Sequence, residues 1–246
     1  MSTEESNDAA IEVTSPGENT RSSSPEMLVS AAAAPGLTED FALALLHKTD
    51  TPQEIIEELS KNPAVIKNRR VKLAIVAHPK TPRYVSISLL RQLFTFDLMK
   101  VALTPVIAGD IKTAAEEALT KRLESLSSGE RTSLARRASG RVAGALLSDP
   151  EARIIRTALE NARLTEAIII RALMSPRPLA ALVRAVCEHP KWSLRRDVRI
   201  ALLRNERTPI RFVEEFAQAF PPLQLKEILQ NSRLPQAVKN TIFRKN

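Results

Sequence analysis

Val71-Lys72-Leu73-Ala74-Ile75 and Val198-Arg199-Ile200-Ala201-Leu202 are two copies of one phrase: a β-branched residue, a base, any residue, alanine, and a second large apolar side chain. They stand 127 residues apart, and the register continues from them without a gap. Thr81-Pro82 falls on Thr208-Pro209, Leu98 on Leu225, and Ile111-Lys112 on Val238-Lys239. The phrase also recurs as Ile111-Lys112-Thr113-Ala114-Ala115 and Ile155-Arg156-Thr157-Ala158-Leu159, then in weaker form at Val238-Lys239-Asn240-Thr241-Ile242. The steps are 40, 44, 43 and 40 residues, and a shorter copy, Phe41 to Ala44 followed by Thr51-Pro52, precedes the first by 30. Positions 0, +3 and +4 share one stripe of a helix. Alanine at +3 admits a close neighbour, and the larger residues fill the seam. A helix pair per step, unable to bury its face alone, predicts stacked hairpins.

Composition supports helices throughout. Among 246 residues there are 6 glycines and 4% aromatics, and caps or prolines stand before the apolar runs at Thr51-Pro52, Ser128, Asp149-Pro150, Thr208-Pro209 and Leu234-Pro235. The pattern reads as about twelve helices of roughly 9–20 residues, one of them long, from Ile107 to Leu126. Residues 1–36, rich in Ser, Glu and Ala, read as a disordered acidic tail, and 37–246 as one domain. The N-terminus lacks the basic and apolar regions of a secretory signal, and no run is long enough to span a bilayer. With one cysteine and no CxxC, the expectation is a cytoplasmic protein without disulfides or membrane contact.

Asp149-Pro150-Glu151-Ala152-Arg153-Ile154-Ile155-Arg156-Thr157-Ala158-Leu159 and Asp197-Val198-Arg199-Ile200-Ala201-Leu202 resemble the second-helix signature of HEAT repeats. The turns Asn161-Ala162-Arg163-Leu164-Thr165 and Asn205-Glu206-Arg207-Thr208-Pro209 are similar to the related leucine-rich repeat variant. The resemblance covers 37–246 and implies an all-α fold, a right-handed α-solenoid of HEAT-like hairpins whose first and last units act as caps. It also implies a non-enzymatic binding scaffold without cofactor. HEAT-like DNA glycosylases are the enzymes of this type, and their pattern of groove aromatics and acids is not matched here.

Net charge is +8, unevenly spread. Residues 1–40 carry Glu4, Glu5, Asp8, Glu12, Glu18, Glu26, Glu39 and Asp40 against Arg21 alone, leaving the remainder at +15. A basic body points to an acidic protein partner or, as the second reading, to the phosphates of a nucleic acid. The bases at +1, namely Lys72, Lys112, Arg156, Arg199 and Lys239, predict a ladder along one face, reinforced by Arg69-Arg70, Arg136-Arg137, Arg153 and Arg195-Arg196. The competing structural role pairs the ladder with Asp110, Asp149, Glu151 and Asp197. Tyr84 and Trp192 are the aromatics placed to stack a base, although both also suit the edge of the core. His47, His78 and His189 read as caps at helix ends, and Cys187 as a core thiol. Glu116-Glu117 and Glu214-Glu215 diverge around their helices. No metal motif or small-molecule substrate site is evident. Gly140 and Gly144, four apart, predict a close helix crossing.

Overall fold

The computed structural model describes residues 25–245, in which every regular element is helical and no strand occurs. The described chain separates into two compact units, divided between Pro82 and Arg83. The first holds α1 (Pro25–Ala33), α2 (Glu39–Leu46), α3 (Gln53–Lys61) and α4 (Arg69–Ala77). The second holds α5 (Arg83–Leu90), α6 (Thr95–Leu103), α7 (Gly109–Arg122), α8 (Ser128–Arg137), α9 (Gly140–Ala145), α10 (Ala152–Leu159), α11 (Glu166–Leu173), α12 (Ala180–Glu188), α13 (Arg196–Leu203), α14 (Ile210–Ala217), α15 (Pro222–Gln230) and α16 (Gln236–Lys245). Single 3-10 turns follow α7 and α9. The expected single domain is thus two units. The expected tail also differs, because its residues 25–33 form α1, with Ala32 fully buried. The rest of that tail, residues 1–24, lies outside the described residues.

The apolar stripes explain these helices. Val71, Ile75, Ile111, Ala115, Ile155, Leu159, Val198 and Leu202 are all buried, as the repeated phrase requires. Helices pack chiefly on the element two places along the chain: α1 on α3 and α2 on α4 in the first unit, and α5 on α7, α7 on α9, α9 on α11, α11 on α13 and α13 on α15 in the second. The even-numbered helices α8, α10 and α12 follow one another likewise.

Among the described residues, sixteen short helices stand where about twelve longer ones were expected. The physical reason lies in the period. The five copies of the phrase fall in α4, α7, α10, α13 and α16, so each step of 40–44 residues contains three helices, not two. In the second unit, consecutive copies therefore alternate between odd-numbered and even-numbered helices.

Another regularity joins each hairpin to the next. The last four carbonyls of a helix lack partners within it, and left-handed caps often supply them, yet no described residue has positive φ. Here a group near the end of a later helix supplies the hydrogen bond. Asn62 Nδ2 donates to the carbonyls of Ala32 (2.7 Å) and Ala34 (2.9 Å). His78 Nδ1 accepts from the Lys80 amide, so Nε2 carries the proton and donates to Lys48 O at 2.9 Å. Arg122 reaches the carbonyls of Leu93 (2.7 Å) and Arg91 (3.0 Å). Asn161 Nδ2 takes those of Ala135 (2.8 Å) and Ala138 (3.1 Å), Trp192 Nε1 takes Leu159 O (2.8 Å), and Asn205 Nδ2 takes Leu173 O (2.8 Å). The Arg233 amide closes the series on Arg204 O at 3.0 Å. Asn62, Asn161 and Asn205 also fold their own turns, each accepting the amide two residues on. Thr51, Thr81 and Thr208, each before a proline, donate to the carbonyl six residues earlier.

Gly140 and Gly144 make the close crossing expected of them. A Cβ on Gly140 would stand 2.2 Å from the backbone oxygen of Arg163, and one on Gly144 would stand 2.4 Å from Ile168 Cγ2.

Two measurements follow from this packing. Asn161→Ala strands buried carbonyls at about 1–3 kcal/mol each. Urea unfolding followed by circular dichroism should therefore show a loss of roughly 2–4 kcal/mol, and Asn161→Asp, which keeps the acceptor but not the donor, should lose at least as much. Gly140→Ala should destabilise by about 1–3 kcal/mol through overpacking against backbone, despite alanine's better helix propensity; a neutral result would show that the crossing can open.

Candidate binding surface

The bases at +1 do not form a ladder on one face. Lys112 in α7 and Arg199 in α13 belong to odd-numbered helices, while Arg156 in α10 and Lys239 in α16 belong to even-numbered ones. Three of them turn back to the loop before their own helix. Lys112 Nζ donates to Pro105 O (2.9 Å), Lys239 Nζ to Ser232 O (3.0 Å), and Arg199 Nε to Ser193 O (2.6 Å). Arg199 also lies over the Phe216 ring at 5.2 Å. Their role is to brace turns. Three of the four acids named as their partners are engaged elsewhere: Asp110 pairs with Arg83 at 3.0 Å, and Asp149 and Glu151 pair with Arg131 at 2.8 and 2.7 Å. Arg131, largely buried, also donates to Leu126 O and so ties the start of α8 to the turn before α10. Sequence reading missed it because its partners lie 18 and 20 residues away in a different element.

Of the other predicted bases, Arg69, Arg70 and the half-buried Lys72 lie in the first unit, where Arg70 pairs with Glu39 at 2.9 Å. Arg153 donates to Ser128 Oγ (3.0 Å) and stands 3.8 Å from Glu151. Arg156 is exposed beside a groove of about 430 Å³ between α10 and α12, floored by Ala152, Ala181 and Ala185 and flanked by Arg184 and Glu188.

The pairs Arg136-Arg137 and Arg195-Arg196 behave differently. They are exposed at helix ends, Arg136-Arg137 in the last turn of α8 and Arg195-Arg196 at the start of α13, which the carbonyl bonds hold beside the neighbouring loops. Segment 159–163 joins 135–138 through Asn161 and through Arg163 Nη1, which donates to Arg137 O at 3.4 Å. Segment 189–196 joins 159–163 through Trp192, and His189 Nε2 comes within 3.2 Å of the Glu160 carboxylate without hydrogen-bond alignment. Arg163 and Lys191, single bases that sequence reading passed over, thereby fall into the same track.

Six exposed cations, Arg136, Arg137, Arg163, Lys191, Arg195 and Arg196, thus line three neighbouring helix ends and their loops in the second unit. Glu160 is the acid among them, and Asp197 follows in the first turn of α13. Among the described residues, none of the six lies within ion-pair distance of a carboxylate. Aromatic faces hold three of them instead: Arg137 lies over Phe96 (5.9 Å), Lys191 over Trp192 (4.0 Å), and Arg196 over Phe220 (6.0 Å). A ring attracts a cation through its quadrupole but does not neutralise it. The charges therefore remain available to solvent.

Trp192 is only 3% exposed and serves the core and the Leu159 carbonyl, whereas Tyr84 is 63% exposed at the start of α5, away from the core edge expected for it. Neither forms a base-stacking platform on the cationic track. His47, His78 and His189 are the C-cap residues of α2, α4 and α12. Among the described residues no helix is long and apolar enough to cross a membrane, and no group of three or more His, Cys, Asp or Glu stands ready for a metal ion.

Cys187 lies buried in α12. Desolvation by burial raises its pKa to about 12, and Glu188 and Glu215 add to the shift while Arg211 opposes it. The thiolate is the reactive form, so iodoacetamide should label the native thiol far more slowly than the denatured one at pH 9. Prompt native labelling would show that α12 opens. Compared with known protein-family models, with curated proteins and with solved structures, the chain matches none.

Proposed function

We propose that this chain is a HEAT-like α-solenoid scaffold, without catalytic activity of its own, that holds an acidic protein partner on its cationic edge. The observation that carries the reading is the set of six unneutralised cations on three stapled helix ends and their loops. Packing of most helices on the one two places along supports the solenoid. The bonds between hairpins span 23 to 33 residues, a shorter repeat than the roughly 40–47 of a HEAT unit. Cations at successive loops, roughly 8–10 Å apart as packed helices are, suit a chain of carboxylates running across the rows. The groove between α10 and α12 is floored by alanines and walled by Arg156, Arg184 and Arg207, a lining suited to a docked chain. Phosphates of a nucleic acid are the second reading, since the track is long enough for several contacts. The burial of Trp192 leaves that reading without the stacking that single strands favour.

The test is the variant Arg136→Gln/Arg137→Gln/Arg195→Gln/Arg196→Gln. Exposed ion pairs contribute roughly 0.2–1 kcal/mol each, and about 1.4 kcal/mol is tenfold in affinity. By fluorescence anisotropy, affinity for an oligo-glutamate peptide should fall about tenfold or more, with a shallower dependence on salt. An unchanged affinity would overturn the reading. Tighter binding of duplex DNA or RNA, with a steeper salt slope, would move the assignment to nucleic acid.

A further inference from the structure

The cationic track has an apolar end. Leu194 in the loop between α12 and α13 is 68% exposed, and Leu223 in the first turn of α15 is 86% exposed. Leu194 lies two residues before Arg196 and Leu223 three after Phe220, and Arg196 stands over the Phe220 ring at 6.0 Å, which brings the two segments that carry them together. Pro221 and Pro222, both exposed, stiffen the second segment. A lone exposed leucine needs no explanation. Two of them on adjoining segments, beside Arg195 and Arg196 whose charges no carboxylate neutralises, form a surface of mixed character. It is apolar at one end and cationic along the rest.

Such a surface fits an occupant of complementary order. We infer that the partner of the cationic edge is an acidic chain segment ending in large apolar side chains, which sit against Leu194 and Leu223 while its carboxylates follow Arg195, Arg196, Lys191 and Arg163 toward Arg136 and Arg137. This inference rests on the acidic-partner reading and specifies its chemistry. The apolar contact supplies attraction that salt does not screen, and the cations supply register. A lipid surface shares the acid-plus-apolar chemistry but fits less well. Membrane-binding faces spread apolar anchors along the element that lies on the bilayer, whereas here they stand at one end. The aromatic residue of the track, Trp192, is turned into the core.

The experiment uses the full chain and two fluorescent peptides, a glutamate run ending in two leucines and the same run ending in two serines. The leucine peptide should bind at least tenfold more tightly, and its advantage should persist at 0.5 M NaCl. Leu194→Ser/Leu223→Ser should abolish that advantage while leaving the serine peptide's affinity unchanged. Both leucines are exposed, so helicity and melting temperature should not change, which separates a binding effect from unfolding. If wild type binds the serine peptide but shows no preference for leucine, or if the preference survives the double substitution, the apolar seat is wrong and the acidic-partner reading stands. If neither peptide binds, both fall. Retention on phosphatidylserine vesicles that depends on Leu194 and Leu223 and exceeds peptide binding would overturn the inference in favour of a membrane.

Discussion

A helix of eight residues has nearly as many carbonyls at its C-terminal end as in its interior, and most helices here have eight or nine residues. Left-handed caps, usually on glycine, are the local remedy, and among the described residues this chain does not use them. Some of its C-terminal carbonyls are met by the following turn, as by Thr51, Thr81 and Thr208, and others from outside the hairpin that owns them. An asparagine amide, a histidine Nε2, an indole N–H, a guanidinium or a backbone amide fills the same role at different junctions. Each hairpin is therefore incomplete, in polar as well as apolar terms, until a later one is in place. Short helices, scarce glycine and stacking are one constraint seen three ways.

The same bonds dictate where surface groups can gather. Because a staple joins the end of one helix to the end of another, it brings loops into contact, and whatever side chains those loops carry become neighbours. Arg136 and Arg163 are 27 residues apart in sequence, but Asn161 and Arg163 both bond to the segment at the end of α8. The cationic edge is thus arranged by side-chain hydrogen bonds to backbone carbonyls rather than by ion pairs. Apart from Arg163, itself one of these donors, its charges can be altered without removing what holds the segments together.

This explains what the sequence disclosed. Alanine and β-branched residues at 0, +3 and +4 report directly on burial, so the helices, their buried stripe and the crossing at Gly140 were all legible. So were the asparagine turns and the histidines at helix ends, whose local chemistry is fixed by one or two neighbours. Helix number was not legible, because a 42-residue period accommodates two long helices or three short ones and periodicity cannot weigh a turn that lacks glycine. The supposed ladder failed for the same reason, since a period of three helices alternates between rows. Lys112, Arg199 and Lys239 share a phrase because they brace a turn. Arg163 and Lys191 share no phrase with the Arg pairs and meet them only through the fold.

Concentrating like charge works against the folded state, and elsewhere this chain pairs several of its cations. Arg70 meets Glu39, Arg83 meets Asp110, and Arg131 sits between two carboxylates. Along the cationic edge, rings hold Arg137, Lys191 and Arg196 instead, and the cations keep their full charge. At physiological salt the Debye length is about 8 Å, close to the spacing of packed helices. Each loop therefore repels its immediate neighbours while more distant loops are screened. A partner carrying carboxylates at similar intervals relieves each of those local repulsions and adds direct attraction at every loop, so its binding grows with the number of loops it crosses. A single anion crosses one and gains little, which is why an extended acidic chain suits this edge better than a small acidic ligand.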